Sequence, residues 1–193
     1  MEKKKAKPVV VLVEAALIAA LSYVVFTFLK IPVATAAGKS TYIHVGNAFA
    51  ALGAFLIGGP WGGLAAGIGM AFGDLFLGDP INAVKTVICK LIIGLVAGLI
   101  GNRLLKVNSV EKAGERTVKV TAAAAIALLV NVVTDPFLGY LRNRYIYGLD
   151  VNVSSITAKL TSGITFINAI ISTIAAVLLY QALRPALKKL GYL

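Results

Sequence analysis

Long apolar runs broken by short polar punctuation organise this chain. A helix needs about 20 apolar residues to cross the hydrocarbon core of a bilayer. Runs near that length predict one all-α transmembrane domain, 1–193, with spans at about 8–30, 43–57, 61–77, 81–105, 120–140 and 156–183. The first stops before Pro32, and a polar, small-residue loop, Ala34 to Tyr42, follows it. The short second span ends at Gly58-Gly59-Pro60, and Asp79-Pro80 breaks the glycine-rich third from the fourth. Lys106 to Lys119 is charged and reads as a loop. The fifth span meets Pro136, beyond which Phe137 to Leu149 is amphipathic and suited to the interface; the sixth stops at Pro185.

Composition removes the soluble alternative. Residues of the AVILMFWYC set make up 59% of the chain and charged residues 14%, at a mean hydropathy of +0.87. A soluble domain carries about 25% charged residues to keep its surface wetted. The single cysteine, Cys89, excludes an internal disulfide. The net charge of +11 is clustered between apolar runs, with no basic stripe interleaved with aromatics, so nucleic acid is not the expected partner. Lys3, Lys4, Lys5 and Lys7 resemble the start of a signal peptide, but Val9 to Leu29 is long enough to span and no small-residue cleavage site ends it. That run reads as a retained first helix.

Lys and Arg accumulate on the cytoplasmic side of membrane proteins. With the N-terminus inside, Lys3, Lys4, Lys5, Lys7, Arg103, Lys106, Lys112, Arg116, Lys119, Arg184, Lys188 and Lys189 are cytoplasmic, twelve against six (Lys30, Lys39, Lys85, Arg142, Arg144, Lys159) outside. Both termini are therefore expected inside. On this topology His44, Asn47, Asp74, Asn82, Lys85, Lys90, Asn131, Asp135 and Asn168 all fall in outer halves of spans or at their outer ends, with Asp79, Thr134, Thr165 and Ser172 near them. The inner halves are nearly free of such groups. A charge at the bilayer centre costs from about 2.5 kcal/mol upward unless it faces protein or water. A polar pocket open to the outside and sealed from the cytoplasm accounts for this one-sidedness. Simpler roles stand beside it: Asp79 and Asn82 can cap the fourth helix, and Lys85 and Lys159 can snorkel. Arg142 and Arg144 read as loop charges. Lys90, on the order of 15 Å into its helix, needs Asp74, Asp135 or a ligand. His44 has no second histidine for a metal site.

The runs Tyr42-Ile43-His44-Val45-Gly46-Asn47-Ala48-Phe49, Leu56-Ile57-Gly58-Gly59-Pro60-Trp61-Gly62-Gly63, Phe72-Gly73-Asp74-Leu75 and Thr86 to Lys90 resemble the substrate-binding S components of energy-coupling factor (ECF) vitamin transporters. The likeness is to the group with pyridoxine, hydroxymethylpyrimidine and riboflavin carriers. It covers the first span to about Gly98 well and the sixth span more loosely. It implies six helices and a site beneath the outer loops. It also implies a transmembrane coupling (T) protein and two ABC ATPases as partners, and a cytoplasmic-membrane location. By the same likeness, Lys90 and Asn168 belong to the pocket. Small residues four apart on the first helix, Ala15/Ala19 and Ala16/Ala20, would face the coupling protein, although intramolecular packing uses the same spacing. The chain departs from the pattern at Asn47, where aspartate is frequent, at Lys85, where an aromatic is common, and at Ile171, where glutamine is usual.

No GxxxxGK[ST] loop, metal cluster or nucleophile–base set occurs, so neither catalysis nor a cofactor is expected of this chain. The expected function is high-affinity capture of a small vitamin, pyridoxine or hydroxymethylpyrimidine first, with Asn47, Asn131 and Asn168 orienting it and Tyr42, Phe72 or Trp61 offering rings. A stand-alone secondary transporter would show inverted repeats, and no self-similarity relates the two halves. An enzyme acting on lipid head groups would cluster acids or histidines at one interface, which Asp74, Asp79 and Asp135 do only thinly.

Overall fold

The computed structural model describes residues 8–189. Lys3, Lys4, Lys5 and Lys7, counted above as cytoplasmic charges, lie outside the described residues. The fold is helical: α1 (Pro8–Phe28), α2 (Asn47–Ile57), α3 (Gly59–Phe76), α4 (Pro80–Ala97), α5 (Ala113–Leu141) and α6 (Val151–Lys189), with one hairpin of β1 (Lys30–Ala34) and β2 (Ser40–His44) between α1 and α2. Short π-helical turns prolong α4 over Gly98–Leu104 and α5 over Arg142–Ile146. Counting those turns, Pro8–Phe28, Pro80–Leu104, Ala113–Ile146 and Val151–Lys189 are each long and apolar enough to cross a membrane.

The segment expected as a plain loop, Ala34 to Tyr42, is half of an antiparallel ribbon pairing Lys30 with His44 and Ala34 with Ser40. Ile31, Val33, Thr41, Tyr42 and Ile43 are β-branched or aromatic and suit a pleated edge, and Pro32 is tolerated because an edge strand can spare an N–H. Gly38, at φ 75°, closes the turn.

The start of α5 and both ends of α6 also differ from expectation. α5 begins at Ala113, inside the charged segment read as a loop. Its first turns need no lipid, and Glu115 and Lys119 pair at 2.7 Å along the exposed face. α5 runs through Pro136 to Leu141, close to the expected end, whereas α6 starts early, at Val151, and runs through Pro185 to Lys189. The extension of α6 is tied down from outside: Arg184 donates to the Val110 carbonyl at 2.9 Å and Lys188 to Glu111 at 2.8 Å.

Helix α3 packs against α1, α2 and α4, while α5 pairs with α4 and α6. Glycines set the closeness of the first group. A Cβ on Gly62 would stand 2.2 Å from the backbone of Gly53 and Ala54, and one on Gly69 2.0 Å from the Ala19 carbonyl. Small residues on facing helices allow such backbone contact. Between α2, α5 and α6 the core is filled by Leu52, Phe55, Leu128 and Tyr180.

Overpacking a tight contact costs typically 1–3 kcal/mol, so Gly69→Ala and Gly62→Ala should each lower the melting temperature of detergent-solubilised protein. Gly163, where an added Cβ meets nothing within 4 Å, is the control; equal melting of Gly69→Ala and Gly163→Ala would refute the close contact.

Candidate functional site

At the hairpin end of the bundle lies a cavity of about 390 Å³. Its walls come from the hairpin (Tyr42, His44), α2 (Asn47), α3 (Asp74), α4 (Asn82, Lys85, Thr86, Lys90), α5 (Asp135) and α6 (Thr165, Asn168). Eight of the nine polar residues singled out from the sequence thus converge. The ninth, Asn131, does not line it: one helical turn beyond Asp135, it is buried at 1% exposure, and neither side-chain amide atom has a partner. The ring contacts also differ from expectation. Trp61 and Phe72 are over half exposed on the outside of the bundle, whereas Phe26 joins Tyr42 at the cavity.

Most of the wall is hydrogen-bonded to itself. Lys85 does not snorkel; it pairs with Asp135 at 2.7 Å, and Thr165 donates to the other oxygen of that carboxylate at 3.1 Å. Asp74 accepts from the Asn82 amide at 2.8 Å and from the Thr86 hydroxyl. Asn82 in turn accepts from Arg142, a residue read from sequence as a loop charge. Asn168 is spent on the hairpin: its oxygen accepts from the His44 N–H and its amide donates to the Tyr42 carbonyl, both at 2.9 Å. It pairs with β2 as a neighbouring strand would. His44 Nδ1 accepts the Gly46 N–H at 3.1 Å, which leaves the ring proton of a neutral imidazole on Nε2. Asn47 Oδ1 is buried without a partner. Among the described residues no three His, Cys, Asp or Glu side chains group as metal ligands.

The hairpin tip is latched over the mouth. Lys39 donates to Asp79 at 2.8 Å and to the Tyr147 hydroxyl at 3.2 Å, and Tyr147 donates to Asp79 at 2.6 Å. Asp79 also caps α4 by accepting the Asn82 N–H at 3.0 Å. The hydrogen bond to Asp79 raises the Lys39 ammonium above its ordinary range. Burial pushes the Asp79 carboxyl up, but the Lys39 and Tyr147 hydrogen bonds and the Asn82 amide outweigh it and hold the group low. Nothing near Lys39 in sequence marks Asp79 or Tyr147 as its partners. At the foot of the hairpin, Lys30 Nζ sits 4.5 Å from the Phe26 ring centroid and 4.3 Å from that of Tyr42, a cation held by two aromatic rings.

The opposite end of the bundle holds polar groups as well. Asn108 donates to the Phe55 carbonyl at 2.8 Å and accepts from Tyr180 at 2.6 Å; Asn102 donates to the Ala54 carbonyl at 2.6 Å; Arg116 reaches Gln181, Val110 and Glu111. These groups stitch helix ends together, and the cavity does not reach them.

A model of the family described as "ECF-type riboflavin transporter, S component" matches residues 7–185. No curated protein sequence matches the chain. Among solved structures the chain is similar to ThiT from Listeria monocytogenes, at 16% identity and a TM-score of 0.63, over 96% of this chain and 99% of that one. The likeness to ThiT is one of fold.

The latch carries a signed pH dependence. The depressed Asp79 carboxyl contributes fully above the ordinary aspartate pKa of about 3.9 and is lost as pH falls through its lower folded value. The raised Lys39 ammonium contributes fully below about 10.4 and is lost as pH rises through its higher folded value. Spin labels at Ala36→Cys, exposed in the same turn, and Asn152→Cys should therefore keep one distance distribution across neutral pH and broaden only in strong acid or base. Asp79→Asn should broaden it already at pH 7; an unchanged distribution would remove the latch.

Proposed function

The chain belongs to the S component family of ECF-type riboflavin transporters, and from that premise we propose that it captures a small water-soluble vitamin or precursor from outside the cell for ATP-driven import. The observation that carries this reading is the cavity at one end of an otherwise apolar bundle. It is walled by all six helices and by the hairpin, and bridged at its mouth by the Lys39–Asp79 pair. Its volume, about 390 Å³, lies in the range of small-molecule sites.

In this reading all six helices cross the cytoplasmic membrane as a single domain, both termini face the cytoplasm, and the hairpin end faces outward. α2, about 16 Å long at 1.5 Å per residue, is half the hydrocarbon thickness, and the hairpin completes that crossing. Lys90, Lys85, His44, Asn47, Asp74, Asn82 and Asp135 form the ligand's surroundings. Asn168 acts by holding the hairpin, and Asn131 supports the floor from beneath. Pyridoxine and hydroxymethylpyrimidine are the first candidates, since short amides and hydroxyls ring the cavity; riboflavin, carried in the family's name, is the comparator.

The chain lacks a phosphate-binding ATPase loop, so a coupling protein and two ABC ATPases supply the work and tip the bundle to present the site inward. On α1, Ala15 and Ala19 already pack against the core, while Ala16 and Ala20, about 100° further round the helix, lie exposed. The exposed pair is the one available to the coupling protein, because two small side chains one turn apart admit a partner helix closely.

Two measurements test this. Proteoliposomes holding the chain with its coupling module should accumulate the vitamin only when ATP is supplied to the ATPases; accumulation by the chain alone would favour a secondary transporter. Ala16→Leu with Ala20→Leu should abolish co-purification with the coupling protein and spare ligand binding. An intact complex in the double variant would remove α1 as the docking helix.

A further inference from the structure

Charge balance around the cavity singles out one side chain. The wall carries four cations, Lys39, Lys85, Lys90 and Arg142, against three carboxylates, Asp74, Asp79 and Asp135. Asp79 is paired with Lys39 and Asp135 with Lys85, at 2.8 and 2.7 Å. Both oxygens of Asp74 are engaged by Asn82 and Thr86. Arg142 spends its guanidinium on Asn82 and Asn143 and lies over the Tyr147 ring. Lys90 remains. It is 5% exposed and lines the cavity, and among the described residues its ammonium has neither a hydrogen bond nor an ion pair. Asp135 and Asp74 share the wall with it, but each is already engaged by other side chains, so the Lys90 ammonium has no direct acceptor among the described residues until a ligand supplies one.

A second donor stands with it. His44 is 9% exposed and lines the same cavity. Its Nδ1 is occupied by the Gly46 N–H, so Nε2–H is the group it can offer, and that atom has no partner among the described residues. His44 from β2 and Lys90 from α4 line this one cavity together. Two unclaimed donors, one of them charged, form a receptor for an oxyanion. They offer nothing to an ammonium or a pyridinium N–H.

Resting on the reading of this cavity as a vitamin site, we propose that its ligand carries an acidic group whose negative charge rests on oxygen (a ring hydroxyl, an imide ionised at its N–H, or a carboxylate), received jointly by Lys90 and His44. This orders the candidates. Pyridoxine, with its acidic ring hydroxyl, and riboflavin, with its acidic imide, fit; hydroxymethylpyrimidine, whose hydroxymethyl group and ring nitrogens are neutral acceptors with no acidic group among them, does not. Nicotinate fits and nicotinamide does not.

The test is calorimetric titration of the full chain in detergent with five probes: pyridoxine, its 3-O-methyl ether, riboflavin, nicotinate and hydroxymethylpyrimidine. At least one of pyridoxine, riboflavin and nicotinate should bind. Lys90→Met should weaken that binding about 10- to 100-fold, the equivalent of one charge-assisted hydrogen bond, and Lys90→Arg should restore most of it. If pyridoxine is the ligand, its ether should bind wild type as weakly as pyridoxine binds Lys90→Met. Equal melting temperatures of the two Lys90 variants exclude a folding defect as the cause. Tight binding of hydroxymethylpyrimidine alone, or wild-type affinity in Lys90→Met, overturns the oxyanion receptor and leaves the transport reading standing. Failure of all five probes to bind overturns the receptor, and absence of ATP-driven uptake as well overturns both.

Discussion

Inside a bilayer a polar side chain has no water to fall back on, so each one must find a partner within the protein or leave a group for something that enters it. That constraint orders this molecule. Lys85 and Asp135 meet across α4 and α5 at 2.7 Å, and Thr165 completes the carboxylate from α6. One contact thereby ties three helices together at the level of the cavity. With Asp135 claimed and Asp74 saturated by Asn82 and Thr86, Lys90 is left over. The leftover group is a consequence of how well the others are satisfied.

Close packing makes that arrangement possible. α3 carries almost no side-chain bulk on three of its faces, so α1, α2 and α4 approach it at backbone distance through Gly69, Gly62 and Gly63. The hairpin then descends over the open end, fixed by Asn168 from α6, by the rings of Phe26 and Tyr42 around Lys30, and by Lys39 at its tip. Three unlike interactions hold one short ribbon. The exposed ion pair at the tip is the weakest of them, since screening by water and salt acts there most.

The two ends of the bundle differ less in the number of polar groups than in how those groups are used. Sequence reading found polar residues in the outer halves of the spans and few elsewhere; it passed over Asn102, Tyr180 and Gln181 inside the inner ends of its spans and set Asn108, Arg116 and Arg184 beyond them. The structure adds Asn102, Asn108, Arg116, Tyr180, Gln181 and Arg184 at the other end, bound to helix-end carbonyls and to one another. Those side chains close the bundle. At the hairpin end, His44 and Lys90 line a cavity, and among the described residues neither His44 Nε2 nor Lys90 Nζ has a partner.

The helices, their order and the end at which chemistry gathers were legible in the sequence, since apolar run length and the spacing of polar residues are local quantities and lipid enforces both. The hairpin was not, because Pro32 and a polar turn outweigh five strand-favouring residues in any local reading. Nor was the fate of each polar group. Asn168 reaches Tyr42 across 126 positions of chain and Lys39 reaches Tyr147 across 108, and whether an amide holds a strand or faces a ligand depends on which backbone comes within 3 Å of it. Folding in three dimensions alone decided that, placing Asn131 beneath the cavity, Phe26 beside it and Trp61 and Phe72 outside.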